Sequence, residues 1–191
     1  MPTFTATINA TNDDGYFAQT GVTFDNSSLT ILLPVTAANI GFFRFPGVTI
    51  PQGSTISAAT LRVRAAATVA FSDNLAIFGE LAFNPGQIAN AADGQGRVHT
   101  THTVFWAPGN LTSGTDYTSI DISTVIQEIV NQGGFASGNA LQLFMDSRAS
   151  TGSTIQLVGD DGSTPAGLAT VSVTYAGATP KTSRPFWLFD D

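Results

Sequence analysis

Cysteine is absent from the 191 residues, which excludes disulfides, thiolate metal sites and cysteine nucleophiles together. Charge is scarce as well. Asp, Glu, Lys and Arg make up 11% of the chain, less than half of the roughly 25% usual in soluble domains. Lysine occurs once, at Lys181, and 7 basic against 14 acidic residues leave a net charge of −7. Nucleic-acid backbones are gripped by clustered Lys and Arg, so no nucleic-acid partner is expected. No run of apolar residues approaches the 18 or so that a membrane span needs, and no membrane partner is expected either. The opening MPTFTA lacks the basic start and apolar stretch of a secretory signal. The expectation is synthesis in a cytoplasm without export.

Polarity comes instead from hydroxyl groups, with 26 Thr and 15 Ser. The length suffices for one domain with its own core. Short β-type runs broken by Gly, Pro, Asn and Asp fill most of it. Residues 4–9 alternate apolar and polar, the period of a half-buried strand. Runs at 29–33 and 40–45 end at Pro34 and at Pro46 with Gly47. Residues 60–65 place Leu61, Val63 and Ala65 on one face and Arg62 and Arg64 on the other. Further runs lie at 75–83, 103–106, 140–145, 154–158 and 169–175. Only 121–131 has the helical period, with Ile122, Val125, Ile126, Ile129 and Val130 forming one stripe. Asp121 is its expected N-cap and Gly133 its expected left-handed stop. About nine strands, one short helix and no βαβ alternation predict an all-β antiparallel sandwich.

The pattern changes after residue 176. Residues 1–176 form the expected sandwich domain, and 177–191 read as a linker followed by an aromatic arm. Phe186, Trp187, Leu188 and Phe189 sit between Pro185 and the closing Asp190 and Asp191. A last strand covering its own sheet is one reading. The other is an arm that docks into another subunit, since aromatics bring the most contact area per ordered rotamer. The linker favours the arm.

Catalytic signatures are missing: there is no Gly-x-Ser-x-Gly elbow, phosphate loop or His-Glu-x-x-His helix. His99 and His102, three apart, point to opposite faces of a strand. The chain is therefore not expected to be an enzyme. Two acidic turns, Asp13 with Asp14 and Asp160 with Asp161, flank the first and last strands, which commonly become neighbours. Four carboxylates with nearby carbonyls suit a calcium ion, the one cofactor weighed, although Asp-Asp-Gly is also ordinary turn chemistry. Tyr16, Trp106 and Tyr117 are the candidates for stacking on a sugar, with Trp106 equally readable as core.

Two stretches carry a resemblance: GFFRFPGVTIPQGSTISAATL at 41–61 and DISTVIQEIVNQGGFASGNAL at 121–141. Together they resemble a jelly-roll β-sandwich module, similar to carbohydrate-binding modules, that recurs in bacterial surface proteins and phage structural proteins. The likeness runs from about Thr3 to Tyr175 and leaves the arm outside. It departs at Gly15, Tyr16 and Phe17, where the module often adds carboxylates, and after Trp106, where it often adds a tryptophan. The resemblance implies a jelly roll with the helix capping one end. It also implies a virion part: a capsid decoration, or cement, protein whose partners are the major capsid protein and other copies of itself, as a homo-trimer or another homo-oligomer. The alternatives are a tail or fibre protein recognising host glycans, or a sugar-binding module.

Overall fold

The structure is a computed structural model and describes residues 1–34, 38–147, 154–163 and 166–177. Twelve strands follow in order: β1 (Thr3–Thr7), β2 (Asp14–Ala18), β3 (Phe24–Asp25), β4 (Thr30–Leu33), β5 (Asn39–Phe45), β6 (Thr55–Arg64), β7 (Leu75–Gly79), β8 (Val104–Trp106), β9 (Asp116–Thr118), β10 (Leu141–Ser147), β11 (Ile155–Val158) and β12 (Thr170–Ala176). Helix α1 (Ala91–Gln95) precedes β8, and α2 (Ser123–Val130) precedes β10.

One sheet has the order β1-β12-β6-β9, a second β3-β2-β5-β10-β7-β8, and β4 pairs with β11; all pairings between these strands are antiparallel. Set aside β2, β3, β4 and β11, and number the remaining eight strands in chain order. The sheets then read 1-8-3-6 and 2-7-4-5, which is the jelly-roll arrangement. The first and last strands pair, Thr3 opposite Thr174 and Thr7 opposite Thr170.

Between the sheets lies the main core. The four-stranded sheet contributes Leu61, Val63, Val171 and Val173, and the six-stranded sheet Phe43, Phe45, Ile77, Leu143 and Met145. The expected alternation of β6 is present: Leu61, Val63 and Ala65 are buried, while Arg62 and Arg64 turn outward to Asp116 on β9. Helix α2 buries Val125, Ile126, Ile129 and Val130 in the same core. It starts one residue later than expected. Asp121 reaches forward from outside, its Oδ1 accepting from Ser123 N at 3.0 Å and from Ala59 N at 2.8 Å. The helix stops at Asn131, φ −78°, rather than at a left-handed Gly133.

One short helix was expected and two are present. The segment between β7 and β8 lies across the outer face of the six-stranded sheet as a lid that includes α1. Asn90 caps this helix, accepting from Asp93 N at 3.0 Å. Beneath it a second apolar cluster forms from Phe17, Ile40, Phe42, Phe78, Phe144, Ile88 and Ala91. Gly94 permits the approach, because a Cβ there would stand 2.7 Å from the Phe17 ring. With both sides covered, all seven residues of β10 are buried.

The first acidic turn is a 3-10 turn, Thr11–Asp13, that delivers the chain directly into β2, where Asp14 already belongs. Gly15 lies within that strand at φ +149°, and a Cβ there would stand 2.1 Å from Asp25 O. No helix among the described residues is long and apolar enough to cross a membrane. The arm residues Phe186, Trp187, Leu188 and Phe189 lie outside the described residues.

Candidate functional site

Pairing of β1 with β12 brings the two acidic turns together. Asp14 points into the space between the sheets and accepts from Asp160 N at 3.1 Å. Asp13, Asp14 and Asp160 are all buried. Their carboxylates are committed differently. Asp13 is held by Arg44 at 2.7 Å and by Gln87 Nε2 at 3.1 Å. Asp160 Oδ1 accepts from Gly162 N at 2.8 Å. Asp161 is exposed and turned to its own loop, accepting from Ser163 N. The expected set of four carboxylates is therefore not assembled, and the close pair is Asp14 with Asp160. Among the described residues no three His, Cys, Asp or Glu side chains are grouped as a metal ion requires. Burial pushes the Asp14 carboxyl up to about 8; the Asp160 N–H opposes this, and the charges of Asp160 and Asp13 add to it.

The three candidate sugar-stacking residues do not share a surface. Tyr16, 9% exposed, packs into the main core from β2. Trp106, 5% exposed, enters the same core from β8, which fulfils the core reading of that residue. Tyr117 stands on β9 of the other sheet, and its hydroxyl accepts from Thr112 N and donates to Asn110 O. Register decides the outcome for Tyr16 and Trp106. Opposite Gly41 and Leu75 respectively, both fall on the inward face of the six-stranded sheet. A sugar ring stacks on an exposed face, which neither offers.

The two histidines have separate surroundings. His102 Nδ1 donates to Glu128 Oε2 at 2.8 Å, and the same carboxylate accepts from the N–H groups of Thr101 and His102 and from the Thr101 hydroxyl. Burial alone would raise Glu128; these bonds outweigh it and hold the carboxyl down at about 2. Glu128 thus pins the loop before β8 to α2. Beside it runs a cleft of about 290 Å³ lined by Ile56, His102, Ser123, Thr124, Gln127, Glu128 and Asn131.

His99 instead lies against the Phe78 ring at 4.7 Å and the Phe144 ring at 5.1 Å. Burial lowers its pKa, which favours the neutral imidazole. It stands on the rim of a groove of about 260 Å³ where the lid leaves the outer face open. Phe17, Ile40 and Phe78 form the floor, and Gln19, Gln95, His99 and Asp146 line the sides. Gln95 is fixed by donating to Ala18 O at 2.8 Å, and Gln19 Nε2 donates to Asp146 Oδ2 at 3.0 Å. The sequence alone did not point to this groove. Its parts come from β2 and the turn after it, β5, β7, β10, α1 and the loop after α1, and only the lid brings them together.

A row of polar groups crosses the same face under the other end of the lid. Arg97 pairs with Glu80 at 3.0 Å and with Asp93 at 2.9 Å, and Arg44 Nε donates to Pro85 O at 2.9 Å. Burial raises the Glu80 carboxyl despite the opposing Arg97. These contacts clamp the lid to the sheet. The chain matches no protein-family model, and no curated protein sequence matches it.

Proposed function

We propose that this chain is a structural protein of a phage virion, a capsid decoration or cement protein that binds across coat subunits and braces the head. Its partners are then the major capsid protein and other copies of itself. The observation that carries the reading is how the body uses its charge. Arg44, Arg62, Arg64 and Arg97 are each paired with a carboxylate of the same chain. Val22, Phe83, Val98, Phe105 and Ile120 meanwhile stand more than half exposed. Among the described residues such a body offers little free positive charge to a polyanion, and it presents exposed apolar side chains to a protein neighbour. Buried across a seam, that surface contributes roughly 25 cal/mol per Å², and a stable contact of standard size covers roughly 1,600 Å² in total. The jelly roll itself serves both capsid and lectin domains, so this part of the support is by analogy of fold.

The test is co-sedimentation of the purified chain with heads of the phage that encodes it. Saturable binding, at a fixed number of copies per capsomer, is the expected result. A chain that stays in the supernatant at all ratios overturns the proposal.

A further inference from the structure

We propose that the groove on the outer face of the six-stranded sheet is the seat of the C-terminal aromatic segment, residues 186–189, of a second copy of this chain. The inference rests on the reading of the protein as an adhesive virion part and names the site by which its copies grip one another.

The groove joins a small apolar floor to a polar rim. Its floor is Phe17, Ile40 and Phe78, and the His99 ring forms one wall. The floor residues are each at most 6% exposed, so an entering ring meets chiefly the exposed His99 ring. Phe105 extends the strip. It is 57% exposed and stands in one cross-strand row with Ala76, Asp146, Ile40 and Phe17. With their Nε2 groups committed within the chain, Gln19 and Gln95 offer their amide oxygens on the rim as acceptors for backbone N–H groups of an incoming segment.

Charge points the same way. The 7 basic and 14 acidic residues divide as 5 and 12 within residues 1–177, and as 2 and 2 in the tail. Lys181 and Arg184 precede the aromatics, so the tail presents its positive end to an acidic body.

Reach favours a second copy over the chain's own groove. The described chain leaves the four-stranded sheet at Gly177, nine residues before Phe186. Nine residues span about 30 Å when fully extended. The route to the chain's own groove passes β1, crosses the ~10 Å between sheets, and then traverses two or three strand spacings of ~4.8 Å on the far side. That path takes about 24–29 Å, nearly the whole tether. A neighbour's groove imposes no such limit. An arm entering the next copy's groove is a head-to-tail contact, which closes into a ring when the rotation permits, here the trimer.

The experiment uses the full chain and light scattering. Phe186→Ser with Trp187→Ser removes the peg, and His99→Arg with Gln19→Arg fills and charges the groove. His102→Arg, in the cleft beside α2, is the control. The wild type and the control are expected at about three times the monomer mass, and the peg and groove variants as monomers. Mixed together, those two variants supply one intact peg and one intact groove, and the expected product is a one-to-one pair at twice the monomer mass. In a Trp106→Phe background, Trp187 emission should shift to the blue on assembly and stay red in the groove variant. A groove variant that still assembles overturns the proposal. So does a monomeric wild type, whether its Trp187 is exposed or buried by its own groove. Binding of a neutral oligosaccharide that the groove variant loses while assembly persists also overturns it, assigning the groove to a sugar. Co-sedimentation with heads distinguishes the two levels: if the groove variant binds heads, only the seat is wrong, and if no form binds, the cement reading falls too.

Discussion

Asp14 offers the sharpest test of the way the two ends of the domain are joined. Its carboxyl lies between the sheets, with the charges of Asp160 and Asp13 nearby and a pKa pushed up to about 8 from the ordinary 3.8, chiefly by burial. The unfolded chain gives up this proton near pH 3.8, and the folded chain keeps it until about 8. Over that window the folded state binds more protons, so its stability falls as pH rises; the contribution is complete below pH 3.8 and lost above about 8. At about 1.4 kcal/mol per tenfold change, the interval sets a ceiling of about 6 kcal/mol. Relaxation and water entry reduce such penalties in practice, and about 1–3 kcal/mol is the expected effect.

Asp14→Asn keeps the shape and the acceptor for Asp160 N but has no proton to lose. Urea unfolding of both proteins between pH 4 and pH 8.5 is the assay. Groups common to both, Glu80 and His99 among them, cancel in the difference. The variant should match the wild type near pH 4 and exceed it by about 1–3 kcal/mol at pH 8.5. A flat difference, or a variant that is weaker at high pH, would refute the reasoning. Millimolar calcium at pH 8 adds a second arm. A rise in melting temperature that the wild type shows and Asp14→Asn lacks would place the ion between Asp14 and Asp160.

Other outcomes follow from the lid and from α2. Gly94→Ala forces a methyl against the Phe17 ring and should destabilise by about 1–3 kcal/mol, read as a lower urea midpoint with an unchanged slope. Phe144→Ala removes a fully buried ring that packs against Phe17, Phe78 and His99; the expected cost is about 3–5 kcal/mol. Glu128→Gln loses the carboxylate that holds Thr101 and His102, with an expected loss of about 1–3 kcal/mol at neutral pH. Because the folded Glu128 carboxyl sits at about 2, below its ordinary 4.5, its contribution is present above pH 4.5 and fades as pH falls towards 2. The difference between wild type and Glu128→Gln, measured by thermal melts, should shrink over that interval.

Much of the sandwich was readable from alternation, and β6 shows why. One of its faces meets the core and the other meets Asp116, so period two survives in Leu61, Arg62, Val63 and Arg64. The central strand β10 is covered on both faces, so burial does not alternate there, although its run of β-formers was visible. Helix α1 has five residues, too few to display a period, and its signal was limited to Asn90 and Asp93. Tyr16 and Trp106 illustrate a different limit. Residue type marks an aromatic as large and sticky, but only the strand register determines whether it faces inward. The meeting of the acidic turns was foreseeable from the neighbouring end strands. The diversion of Asp13 to Arg44 was not, because that contact spans separate elements. The groove was hidden for the same reason, its seven lining residues being scattered from Phe17 to Asp146.

The claim on which the rest stands is that the protein acts by adhesion to a shell and reinforces it. Heating heads that carry the protein and heads stripped of it, while following DNA release with an intercalating dye, tests this most directly. Release at a higher temperature when the full chain is added back is the predicted result. Identical release curves, with binding sites saturated, would contradict the account.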